Sequence, residues 1–377
     1  MRILFTGGHG FVGRYILRAL LRRCPTAEIS LLARGGARGN ALDRVKRALR
    51  AVALPEDAVR VVEGDVDVPH FGLDDRRHGD LLGAVDRVVH AAANVRFDQD
   101  LPAARKANVE ATARVLRFAR QAGVERLDHI STCYVAGHRT DRVAETDLEH
   151  GAGFRNAYEQ SKHEAELLLR GGDGGSGEGD RDPSDGGPAI TVLRPSMVVG
   201  EAASGRTSSF HMIYWPMKLY ARGAWRTMIG YPGTPVDTVP VDFVGEAAAS
   251  LILDPAAAGL TYHLAAGADR QSTIGEIAAM TQRVIDGPAI RFVDPRFFMR
   301  WIRPFADPFL WLTPGGRRIL KGGRLYLPYF AANPVFDTRQ ADAQLGPEGI
   351  CPPPVTDYFE RLVQYAVDTD FGRREGA

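Results

Sequence analysis

Two residues set the chemistry to be explained. In Asn156-Ala157-Tyr158-Glu159-Gln160-Ser161-Lys162-His163-Glu164-Ala165-Glu166, good helix formers place Tyr158 and Lys162 four apart, on one helix face. An ammonium beside a phenol lowers the phenol pKa from its ordinary value near ~10, making Tyr158 a usable proton donor near neutrality. Hydride transfer to a carbonyl needs such a donor. The same spacing arises by chance on surface helices, so position matters more. Upstream, Arg126-Leu127-Asp128-His129-Ile130-Ser131-Thr132 reads as a buried strand ending in two hydroxyls, where a parallel sheet lines its ligand crevice.

The second chemical feature is Thr6-Gly7-Gly8-His9-Gly10-Phe11-Val12-Gly13, between the apolar run Met1–Phe5 and a helical pattern from Tyr15. Strand, glycine turn and helix suit a dinucleotide pyrophosphate, with Thr6, Gly7, Gly10, Phe11, Val12 and Gly13 as candidate contacts. A second strand, Glu28–Ala33, ends at Arg34, followed by Gly35, Gly36 and Arg38. A guanidinium where an acid would favour NAD points to NADPH; the alternative is a solvated arginine at a strand end. Asp65 and Val66 end the next strand, where Asp65 either contacts adenine or bonds its own turn. Ala91 and Ala92 follow the apolar strand Val85–His90 and suit close approach of a cofactor, with His90 read as structural. Pro195 and Val198 are expected against the nicotinamide. Asn108 stands at the start of a helix to Gln121, where it could serve as a cap.

These positions require an α/β, Rossmann-type doubly wound parallel sheet with a smaller, mostly helical C-terminal substrate lobe. The expected layout is a core over 1–197, an excursion over 198–238, a return over 239–267 and a lobe over 268–377. Within the core, 171–188 is Gly/Asp-rich without apolar residues and reads as a disordered surface loop. Asp242 is expected to cap the helix to Leu253, and Thr273-Ile274-Gly275-Glu276 has capping-box spacing. Phe297, Phe298, Met299, Trp301, Phe305, Phe309 and Trp311 crowd with Arg296, Arg300, Arg303, Arg317 and Arg318, as a lid over a lipophilic substrate, a peripheral membrane contact or a packed lobe helix.

Lys plus Arg (47) balances Asp plus Glu (46), which gives no reason to expect a nucleic-acid partner. Cys24, Cys133 and Cys351 have neither metal nor disulfide spacing. A first strand at Met1 leaves no room for a signal peptide, and no apolar run reaches ~20 residues, so a cytoplasmic protein is expected.

From Met1 to about Gly267 the chain resembles the extended short-chain dehydrogenase/reductases. The motifs are TGGHGFVG at 6, GDV at 64, HAAA at 90, NVEAT at 108, ISTCYVAG at 130, YEQSK at 158 and LRPSMVVG at 193. The resemblance implies Tyr158 as general acid, Lys162 as the residue binding the ribose and lowering its pKa, Thr132 as the hydroxyl holding the substrate oxygen, and Asn108 supporting Lys162 through a water. NAYEQSKHEAE, LRPSMVVG and VDTVPVDFV look most like the thioester reductase and fatty acyl-CoA reductase branch. That branch implies NADPH-dependent reduction of an acyl thioester, on coenzyme A or a carrier protein, to an aldehyde or alcohol. The sequence departs from multidomain members in having no attached carrier or adenylation domain, which implies a carrier acting in trans. A ketone reductase, a nucleotide-sugar epimerase or dehydratase, and a non-catalytic NADP-binding sensor are the rival readings.

Overall fold

Short apolar runs become the strands of one parallel sheet: β1 Arg2–Thr6, β2 Glu28–Ala33, β3 Arg60–Glu63, β4 Arg87–His90, β5 Arg126–Ile130, β6 Ala189–Pro195 and β7 Thr261–Leu264. The computed structural model describes residues 1–36, 39–171, 187–223, 226–304, 311–313 and 316–374. Arg38, Phe305, Phe309, residues 172–186 of the expected loop and the Arg318 side chain therefore lie outside the described residues. The strand order is β7-β6-β5-β4-β1-β2-β3, every neighbouring pair is parallel, and Phe5 lies between Leu31 and Val89. Helices on both faces explain why these strands are continuously apolar rather than alternating.

On one face, Ile16, Leu17 and Leu20 of α1 (Phe11–Arg23) share a core with Val244, Ala247, Ala248 and Leu251 of a later helix, Val241–Leu253. On the other, Val115, Leu116 and Phe118 of Ala111–Gln121 and Leu169 of Ala157–Leu169 cover Leu4, Val88 and Leu127. A third core joins Ile213, Tyr214 and Met217 to Ile274 and Ile277, to Tyr329 and Phe330, and to Phe359, Leu362 and Val363 of the last helix, Phe359–Asp368. Chain order reverses between β1 and β4, opening a crevice beyond the strand carboxyl ends.

Two expected caps are placed differently. Asn108 is not at a helix start: the helix begins at Leu101 and runs through a π turn, Lys106–Glu110, into Ala111–Gln121. Asp100 caps it by accepting from the Ala103 amide, with Pro102 in the first turn. Asp242 does not cap Val241–Leu253, whose N-cap is Pro240 without a side-chain bond; its carboxylate instead accepts from the Ala202 amide at 3.1 Å. The capping box at Thr273 and Glu276 is present and opens the helix Ile274–Val284.

Candidate active site

The glycine turn is shaped by what cannot fit there. Gly7 has φ +76°, and a Cβ on it would lie 2.4 Å from the Ala92 amide nitrogen; a Cβ on Gly13 would lie 2.2 Å from the Gly7 carbonyl. The missing side chains let the turn, the start of α1 and the end of β4 meet, with Gly10 N donating to Gly7 O at 2.9 Å. Thr6, Gly7, Gly10, Arg34, Asp65, Val66, Ala91 and Ala92 all line the resulting cleft, joined by His9 and Arg44. Phe11 and Val12 point inward instead and pack on the cores beneath α1, where Val198 joins them. Pro195 is buried at the end of β6. A cleft with amides at a close turn and basic groups on its rim fits a dinucleotide phosphate.

The adenosine end differs from the sequence expectation. Arg34 does not stand free: Nη1 donates to Asp65 and Asp67, each at 3.1 Å. Asp65 also accepts from the Asp67 amide, so its carboxylate closes its own turn while holding Arg34. The second cation at this rim, missed in the sequence, is Arg44 on Ala41–Arg50. Its Nη1 donates to the Arg34 carbonyl at 2.7 Å and its Nη2 lies 3.2 Å from His9 Nε2. His9 Nδ1 is buried without a partner. Burial, then Arg44 and Arg34, push the His9 imidazole down to about 4. The signal available was Arg44 in the first turns of an otherwise ordinary amphipathic helix, which spacing alone does not distinguish from a solvated arginine.

The helix Ala157–Leu169 is tied to the cleft lining by Asn108, which bonds both Ser161 and Asn94, and is capped by Asn156, whose side chain accepts from the Glu159 amide. Burial pushes the Tyr158 phenol up to about 12, with Thr132 opposing the rise. Phe97 stacks on the Tyr158 ring with centroids 5.5 Å apart. Lys162 is on the same helix and buried: its Nζ donates to the Ile130 carbonyl at 2.8 Å and meets His129 Nε2 at 3.0 Å. Burial brings the Lys162 ammonium down to about 8, with Glu166 opposing. Asn108 does not bond Lys162; it donates to Ser161 Oγ at 2.9 Å and to the Asn94 carbonyl, and accepts from the Asn94 amide. His90 is a structural bridge, bonded to Thr6 Oγ1 at 2.7 Å and Thr112 Oγ1 at 3.2 Å.

Beyond Tyr158, the segment 326–331 has two sides. Tyr326 and Tyr329 face Phe97, while Leu327 and Phe330 line an apolar pocket with Ile213, Met217, Met228 and Ile277. Two of the three hydroxyls bordering that pocket are satisfied internally, Tyr220 on the Pro288 carbonyl and Thr281 on the Ile277 carbonyl, and Thr227 is the third. A ligand there meets hydrocarbon. Phe297, Met299, Trp301, Trp311 and Leu312 are exposed. No described helix is long and apolar enough to cross a membrane.

The fold and cleft are those of a dinucleotide-binding protein, and comparison with known proteins names the family. An NAD-binding family model described as male sterility protein matches residues 5–248, and the chain belongs to that family, which makes the cleft a nicotinamide dinucleotide site. Among curated relatives, the aldehyde reductase lnbA of Aspergillus flavus is 27% identical over 333 residues, 83% of this chain and 31% of that protein. The chain spans less than a third of the length of the curated relatives it matches. The terminal R domain of the myxalamid PKS-NRPS pathway superposes with a TM-score of 0.82 at 24% identity, covering 98% of this chain and 91% of that one. A thiolation-reductase di-domain from an archaeal non-ribosomal peptide synthetase gives 0.75 at 17% identity, over 98% and 76%.

Proposed function

We propose that this protein reduces an acyl thioester, held on coenzyme A or a carrier protein, to an aldehyde or alcohol with NADPH, in the cytoplasm. The observation that carries the reading is the Tyr158 ring stacked on Phe97, one residue beyond Arg96 in the lining of the cleft that starts at the glycine turn. NADPH, when bound, supplies the hydride.

The chain's own residues do the rest. Gly7, Gly10 and the amides at the start of α1 receive the pyrophosphate, and Arg44 with His9 and Arg34 receives the 2′-phosphate, which favours NADPH over NADH. The Thr132 hydroxyl and the Tyr158 phenol donate to the thioester oxygen as it gains charge, each such aimed donor contributing ~3 kcal/mol. Tyr158 passes its proton to that oxygen, and the hemithioacetal then expels thiol to leave the aldehyde. The Lys162 ammonium stabilises the phenolate left behind. The apolar pocket behind Leu327 and Phe330 supports a lipophilic acyl group, and the likeness to a thiolation-reductase di-domain supports a carrier as its bearer.

The test is NADPH oxidation followed with acyl-CoA and carrier-loaded thioesters beside ketones and nucleotide sugars. Thioester-dependent oxidation with aldehyde or alcohol formed is expected. Turnover of ketones or nucleotide sugars alone overturns the reading.

A further inference from the structure

The Tyr158–Lys162 pair leaves one buried group beside it without a role. His129 lies on β5, three residues before Thr132, and is wholly buried. Its Nε2 is 3.0 Å from Lys162 Nζ, and among the described residues Lys162 has one other hydrogen-bond partner, the Ile130 carbonyl. A lysine ammonium has no acceptor capacity, so His129 Nε2 accepts, and its ring proton sits on Nδ1. That proton has no partner, an uncompensated polar group in a dry interior. Such a group persists where it serves the neighbour it faces.

We propose that His129 is the positioning residue of Lys162: it fixes the ammonium by a hydrogen bond and keeps the lysine protonated in a site that excludes water. The inference rests on the reading of Tyr158 and Lys162 as proton donor and electrostatic partner. The surroundings make the acceptor necessary. Burial alone disfavours the ammonium, and the charged group opposing it is Glu166, one turn along the same helix. Glu166 is itself committed to Arg194 at 2.7 Å and to the Ser131 hydroxyl. The remaining titratable neighbour is His90, whose ring centroid is 5.2 Å from that of His129. His90 is held neutral by burial and by Lys162. It is bonded to Thr6 at the glycine turn, so the two neighbouring imidazoles, tilted by 37°, run from the cofactor turn to the lysine. His129 is likewise held far below its ordinary range by burial, Lys162 and His90, which leaves it an acceptor throughout the working pH range.

The experiment uses the full chain labelled with ε-carbon-13 lysine, titrated by NMR. The chain has five lysines, Lys46, Lys106, Lys162, Lys218 and Lys321, so the Lys162 signal can be assigned by its loss in Lys162→Arg. In His129→Leu the Lys162 midpoint should fall by about one pH unit, and His129→Gln, which restores an acceptor, should bring most of it back. The alkaline limb of kcat with an acyl thioester should move down in His129→Leu and return in His129→Gln, with KM for NADPH little changed. An unchanged Lys162 midpoint in a folded His129→Leu overturns the proposal, as does a His129→Gln variant no better than His129→Leu. If the midpoint moves as expected while the wild-type protein reduces no thioester, the pairing stands and the functional reading fails.

Discussion

Arg44 Nη2 lies 3.2 Å from His9 Nε2, and the same arginine holds the carbonyl of Arg34. The rim of the cleft proposed for an adenosine 2′-phosphate therefore carries a guanidinium with no carboxylate partner among the described residues, while Arg34 is paired with Asp65 and Asp67. Arg44→Ala should weaken NADPH binding by about tenfold or more, since a charge-assisted bond is worth ~1.5–3 kcal/mol, and should leave NADH binding almost unchanged. Fluorescence titration of both cofactors decides it; an equal loss for the two assigns Arg44 to packing.

The same pair predicts a pH dependence. His9 is neutral at pH 7 because burial and two arginines hold it down at about 4. A phosphate dianion beside it favours the protonated ring, so binding takes up protons and NADPH affinity should rise as pH falls from 8 toward 6.5. NADH, lacking that phosphate, should show a flatter profile, and His9→Gln should remove the difference. Parallel profiles in the wild-type protein would mean that His9 stays uninvolved.

Tyr158→Phe removes the buried phenol hydroxyl while keeping the ring against Phe97. Loss of a positioned general acid costs typically 10²–10⁴-fold, so kcat should fall by about that much with the cofactor Kd unchanged. A smaller effect than about tenfold assigns the proton to another donor.

What the sequence disclosed and what it hid follow one physical rule. Glycine spacing, apolar strands and the helical formers around Tyr158 are local signals, and they led to the sheet, the turn and the helix that carries Tyr158 and Lys162. Arg34 and Asn108 have protein partners that the sequence hid because they are distant in sequence: Asp65 and Asp67 lie across a strand pair, and Asn94 and Ser161 on separate elements. No periodicity reports such pairings. The same holds for Lys162, whose helix face was legible but whose bond to His129 depends on how β5 sits against that helix.

Gly13→Ala tests the turn. Its Cβ would meet the Gly7 carbonyl at 2.2 Å and the Gly8 Cα at 2.8 Å, both backbone atoms that cannot rotate away. The turn must open, so dinucleotide binding should be lost while far-ultraviolet circular dichroism still reports a folded sheet. Retained NADPH affinity would show that the turn tolerates displacement.

Arg194 and Glu166 are both wholly buried and 2.7 Å apart, and Arg194 also donates to the carbonyls of Glu145 and Asp147. Removing one partner strands the other charge in a dry core, at ~3–5 kcal/mol, whereas replacing both with apolar groups costs less. Denaturant unfolding of Arg194→Met, Glu166→Met and the double variant should rank the double variant above both singles. If the double variant is the least stable, the pair is net stabilising beyond its desolvation cost.

The apolar pocket gives the last prediction, on chain length. Ala278 lines it between Ile277 and Thr281 on Ile274–Val284, and the wall it faces includes Met217 and Phe330. Phenylalanine at this position takes up space that an acyl tail would otherwise fill, without touching Tyr158, Thr132 or the glycine turn. Each buried methylene is worth ~0.8 kcal/mol, so displacing about three raises KM by roughly fiftyfold for thioesters long enough to reach the pocket. Short acyl thioesters, which do not extend so far, should keep both kcat and KM in Ala278→Phe. The diagnostic is therefore a break in the chain-length series rather than a uniform loss. If Ala278→Phe lowers all chain lengths alike, the pocket is a packing gap in the third core and the acyl group lies elsewhere, on the Phe97 and Tyr326 side of the 326–331 segment.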